Sequence, residues 1–128
     1  MTRRVLLLTA LLAAAPGASA FSLWGRSAPL PVVRLALKDG AFVPASPRIP
    51  ARTKVRLLIS NEGAVPAEFE SFVLHREQIV PAGGTVAVFV GPLEPGAYPF
   101  FDDFRRATKG TLVVDAAPAP ASPKGGAR

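Results

Sequence analysis

The stretch Gly91–Asp115, GPLEPGAYPFFDDFRRATKGTLVVD, decides how the rest of the chain is read. Its front, Leu93-Glu94-Pro95-Gly96-Ala97-Tyr98, has the form of a tyrosine corner. In that device a tight Pro-Gly turn enters a strand and the Tyr hydroxyl ties back to backbone a few residues upstream. Its rear, Gly110–Val114, is β-branched and aliphatic and predicts a last strand. Between them lies Phe100-Phe101-Asp102-Asp103-Phe104-Arg105, two carboxylates bracketed by aromatics where the strand from Tyr98 is expected to run into a loop. Any chemistry of this chain is expected there.

Upstream, the pattern is that of strands. Val33, Leu35 and Leu37 alternate with Arg34, Ala36 and Lys38, the period of a half-buried strand. Asp39-Gly40 turns the chain and Ala41–Pro44 continues it; Pro47–Pro50 predicts a short edge piece, where a missing N–H breaks no ladder. Lys54–Ser60 gives the clearest signal, with Val55, Leu57 and Ile59 on one side and Lys54, Arg56 and Leu58 on the other. Glu68–Leu74, Gln78–Val80 and Thr85–Val90 follow, separated by turn residues. Proline and glycine interrupt most windows that would hold a helix. Seven or eight short strands with turns about every 8–12 residues predict an all-β Greek-key sandwich over residues 32–115.

The two ends read differently. Arg3 and Arg4, the apolar run Val5–Ala15 and the small residues Ala18-Ser19-Ala20 predict a signal peptide over residues 1–20. The run is too short to span a bilayer as a helix, so an exported, periplasmic chain without a transmembrane segment is expected after cleavage near Phe21. Residues 21–31 read as a linker, and the Ala/Pro/Gly-rich residues 116–128 as a disordered tail. What remains after cleavage is about 108 residues, enough for one domain. There is no cysteine, which removes disulfides, thiolate metal ligands and thiol catalysis together. The net charge of +6 falls to +4 when Arg3 and Arg4 leave. The remaining cations are scattered, which argues against nucleic acid as a partner.

Two carboxylate pairs stand out. Glu68 and Glu70 are two apart in a strand, so both project from one face while Phe69 takes the other. Asp102 and Asp103 stand at the far end of the Tyr98 strand. Were the two segments neighbours, up to four carboxylates would approach one another. Two unit charges about 4 Å apart repel by roughly 4 kcal/mol at an effective dielectric near 20. Such a cluster calls for a cation, a raised pKa or a neighbouring arginine.

From Phe42-Val43-Pro44 to Val114 the chain resembles the cupredoxin-like domains of bacterial periplasmic proteins linked to iron uptake. The phrases that carry the likeness include Ile49-Pro50-Ala51-Arg52-Thr53-Lys54-Val55, Pro66-Ala67-Glu68-Phe69-Glu70-Ser71, Phe100-Phe101-Asp102-Asp103-Phe104 and Lys109-Gly110-Thr111-Leu112-Val113-Val114. The resemblance implies a cupredoxin sandwich acting beside an inner-membrane iron permease or another envelope protein. It also implies an acidic metal site of Glu68, Glu70, Asp102 and Asp103, with a divalent ion, copper or iron, as the cofactor.

The blue-copper function of that fold is not expected. It takes two His, one Cys and usually an axial Met. Set against the blue-copper pattern, the Cys place falls at Asp102, the His places at Ala67 and Arg105 and the Met place near Thr108. The relatives linked to iron uptake often have His where this chain has Arg105, and a guanidinium offers a metal no lone pair. Arg105 and Arg106 are then candidates for internal counter-ions to Asp102 and Asp103. His75 is the only histidine, expected on an exposed strand, and one imidazole cannot build a nitrogen-rich site. No nucleophile–base pair or phosphate-cradling glycine loop is present, so no enzymatic activity is expected. Two readings remain: a metal-handling accessory of iron or copper uptake, and a metal-free interaction module docking on an envelope partner.

Overall fold

A computed structural model describes residues 28–116. The expected signal peptide, most of the linker and nearly all of the tail lie outside the described residues. Nine strands form two sheets: β1 (Val32–Lys38), β2 (Ala41–Val43), β3 (Arg48–Pro50), β4 (Val55–Asn61), β5 (Ala67–Ser71), β6 (Arg76–Val80), β7 (Thr85–Val90), β8 (Gly96–Asp102) and β9 (Arg105–Asp115). One sheet has the order β2-β1-β4-β7, the other β3-β9-β8-β5-β6. Pairing is antiparallel except for β1 with β4 and β3 with β9, which run parallel.

The period-2 pattern becomes burial directly. In β4, Val55, Leu57 and Ile59 are at most 1% exposed while Arg56 is open to solvent. Leu35 and Leu37 of β1 join them from the neighbouring strand, and Ile49 of β3, Leu112 and Val114 close the core from the other sheet. Three rings fill its centre: Phe42 lies edge-on to Phe100 at 4.9 Å between centroids, and Phe69 lies 5.1 Å from Phe100. Such pairs add roughly 0.5–1.5 kcal/mol each beyond their area. Gly110 is what lets Phe100 lie flat, because a Cβ there would collide with its ring and meet the Ala45 carbonyl oxygen at 2.8 Å.

The tyrosine corner is present: the Tyr98 hydroxyl donates to the Glu94 carbonyl at 2.8 Å. Short β3 lies at a sheet edge, where its proline is tolerated. Three expectations need correcting. Nine strands form rather than seven or eight. The last begins at Arg105, not Gly110, because Arg105 and Lys109 pair back onto Asp102 and Phe101 across a bulge. The strand expected to reach Leu74 stops at Ser71. Phe72–His75 is a turn, with His75 at φ 51° and its N–H bonded to the Phe72 carbonyl. His75 is therefore exposed on a turn rather than a strand.

Candidate functional site: the closed ligand end

The β5 and β8 strands are neighbours, so the two acidic phrases do meet. Phe69 stands opposite Asp102 and Glu70 opposite Phe101, and the Asp103 N–H bonds to the Glu68 carbonyl at 2.9 Å. Their side chains nevertheless part company. Directly opposed residues share a face of the sheet. Phe69 is core, so Asp102 points inward and is fully buried. Glu68, Glu70 and Asp103 are half-buried, and the strand alternation places both glutamates on the outer face. The fold thus brings three of the four acids towards one outer surface and sends the fourth to the core.

Asp102 is satisfied by this chain alone. Its Oδ1 accepts the Glu68 N–H at 2.9 Å and the Phe104 N–H at 3.1 Å, and its Oδ2 lies 3.3 Å from Nη1 of Arg105. Both oxygens are occupied, and charge-assisted bonds of this kind are about twice as strong as neutral ones. The other three places of the copper pattern are filled as firmly. Ala67 is core, Arg105 is the counter-ion, and the buried Thr108 hydroxyl donates to the Gly40 carbonyl at 2.7 Å. Nearby, Asn61 is buried and gives its amide to the Val65 and Val80 carbonyls while accepting from Gly63. Among the described residues no buried side-chain polar atom lacks a partner.

On the outer face, Asp103 is paired with Arg106 at 2.7 Å. Glu70 stands directly opposite Glu77 in the β5–β6 register, and Glu77 also reaches Glu68. Nothing in the sequence singles out Glu77; the hairpin register, which a sequence does not display, is what makes it part of the cluster. Sharing a proton with Glu77, partial burial, and repulsion from Glu77, Asp103 and Glu70 hold the Glu68 carboxyl above its ordinary value of 4.5. Because the folded state favours the protonated form, this contribution is fully present below the unfolded pKa. It is lost as the pH rises through the raised one. Glu77→Gln replaces the proton-sharing carboxyl by an amide that donates, so the Glu68 pKa is expected to fall towards 4.5. Carboxyl-carbon NMR titration reads this, and an unchanged Glu68 midpoint would refute the coupling.

Among the described residues no group of three or more His, Cys, Asp or Glu has a geometry that would hold a metal ion. Of the aromatics in the phrase, Phe100 is core, Phe101 lies against Phe72 on the outer face at 5.3 Å, and Phe104 is exposed rather than packed.

Residues 4–114 match the cupredoxin-like domain family. This chain belongs to that family. An uncharacterized protein of Rickettsia prowazekii (strain Madrid E) is 40% identical over 84 residues, covering 65% of this chain and 67% of its own length. Among solved structures, the metal-binding domain of the Streptococcus pneumoniae Cu(I)-exporting P-type ATPase, with Cu(I), superposes with a TM-score of 0.58. It is 13% identical over 66% of this chain and 84% of that one. A purple cupredoxin from Nitrosopumilus maritimus gives 0.52 at 18% identity, covering 64% and 98%. Auracyanin A, a blue copper protein of Chloroflexus aurantiacus, gives 0.55 at 15%, covering 66% and 98%. These identities carry the fold and nothing finer. The sandwich is therefore of the cupredoxin type. The donor set of a copper cupredoxin, two imidazoles and a thiolate, does not fit the alanine, carboxylate, guanidinium and hydroxyl found at those places in this cupredoxin-like chain.

Proposed function

We propose that this cupredoxin-like domain is a periplasmic interaction module, docking on an envelope partner, in which an ion pair within the chain does the structural work of the metal. One observation carries the reading: the Asp102 carboxylate spends both oxygens on two main-chain N–H groups and Arg105. A carboxylate so engaged holds the β5 and β8 ends together without an ion. Its periplasmic setting is supported by the leader pattern of residues 1–20.

A metal-handling role, receiving copper or iron for an inner-membrane iron permease, has one observation in its favour. Glu68 is held above its ordinary pKa by its acidic neighbours, and a divalent ion on the outer face would relieve that repulsion. Against it, Asp102 lies on the other side of the sheet, and Asp103 already has Arg106.

Calorimetric titration with Cu(II), Fe(II), Mn(II) and Zn(II) separates the two. The docking reading expects no saturable heat from any of them. Stoichiometric binding that disappears in Glu68→Gln/Glu70→Gln would overturn it in favour of metal handling.

A further inference from the structure

One sheet is basic, while the other carries both signs of charge in equal number. Strands β2, β1, β4 and β7 contain no Asp or Glu at all. Arg34 and Arg56 project from the outer face of that sheet, and Lys54 stands at its β4 end with its ammonium 5.4 Å from the Phe89 ring centroid. None of these three cations has a carboxylate partner among the described residues. They are near neighbours: Arg56 is opposite Phe89 on one side and opposite Val32, two residues before Arg34, on the other. Around them Val32, Val43 and Phe89 are 47%, 53% and 43% exposed. The opposite sheet holds Glu68, Glu70 and Glu77, three of the four carboxylates that have no ion pair among the described residues.

We propose that the outer face of the β2-β1-β4-β7 sheet lays this domain on an anionic phospholipid bilayer. Unpaired guanidinium and ammonium groups set among exposed aliphatic and aromatic side chains suit phosphate headgroups above hydrocarbon. An acidic protein would satisfy the charges but gives no reason for the exposed Val32, Val43 and Phe89 between them. This surface is independent of the docking reading above and stands or falls separately.

Sedimentation of the purified processed chain, beginning at Phe21, with vesicles tests it, comparing phosphatidylcholine alone with a mixture containing phosphatidylglycerol. Binding to the anionic vesicles only is expected, collapsing at high salt. Each basic residue near such a surface contributes about fivefold in affinity. Arg34→Gln/Arg56→Gln is thus expected to lose roughly 25-fold. The charge-matched control Arg106→Gln/Lys109→Gln, on the other sheet, is expected to change binding less than about threefold. An unchanged melting temperature checks that each variant folds, and Arg34→Gln alone replaces the double variant if it does not. Equal binding to both vesicle types, or equal losses in the two double variants, overturns the proposal. Capture of poly-glutamate without any vesicle binding overturns it too, giving the face to an acidic protein.

Discussion

Asp102→Ala is expected to lower the unfolding free energy by about 2–4 kcal/mol, a large share of the 5–15 typical of a domain. The substitution strands two main-chain N–H groups and leaves the partly exposed Arg105 guanidinium without its carboxylate. Each orphaned donor that water does not reach costs roughly 1–3 kcal/mol, and the space left by the fully buried Asp102 side chain offers no other acceptor. Asp102→Asn keeps an acceptor oxygen for the two N–H groups but loses the charge and the oxygen that accepts from Arg105. It is expected to cost about 1–2 kcal/mol, the increment of a charged over a neutral bond. Urea unfolding monitored by circular dichroism measures both. The sign is as informative as the size. Were Asp102 held in place to await an ion, its removal from the metal-free protein would relieve repulsion and raise stability. A gain, or no change, would sink the claim that this carboxylate is a structural keystone.

Gly110→Ala is expected to cost about 3 kcal/mol, the upper end of ordinary overpacking. The added methyl would collide with the Phe100 ring, which is pinned between Phe42 and Phe69, and would meet the Ala45 carbonyl oxygen at 2.8 Å. The backbone at Gly110 is not in the left-handed region, so the cost is steric rather than conformational. That makes it rescuable. In a Phe100→Leu background, where the far edge of the ring is gone, the same glycine substitution is expected to cost about 1 kcal/mol, a coupling of the size seen between touching residues. Additive costs in that double-mutant cycle would mean the clash lies elsewhere.

Much of the sandwich was legible. Leu93–Tyr98 has the turn and the tyrosine that make a corner, and both are local. Val55, Leu57 and Ile59 declare their face by alternation alone, and Pro47 and Pro50 declare an edge. The inward direction of Asp102 was also within reach. Phe100 and Asp102 are two apart in β8, so a core Phe100 commits Asp102 to the core side; placing the aspartates in a loop discarded that period. The β9 strand from Arg105 was hidden, because its first half, Arg105–Lys109, shows no alternation of apolar and polar residues and owes its extended form to pairing with β8. The turn at Phe72–His75 was hidden for the opposite reason: Phe72-Val73-Leu74 has strand-like residues, yet the hairpin register back to β6 requires the chain to reverse there.

The acids mark where the two levels divide. Sequence alone determined an all-β chain with a tyrosine corner, no thiolate and no imidazole at the places a blue-copper centre needs, since those depend on residue identity and spacing. It also brought Glu68-Phe69-Glu70 and Asp102-Asp103 under suspicion as partners. Only the tertiary structure decided that Asp102 closes on main-chain N–H groups and Arg105 while Glu77 joins Glu68 and Glu70 outside. The physical reason is that a strand's period tells which residues share a face. Which strand lies alongside, and in what register, is settled by packing among residues far apart in the chain.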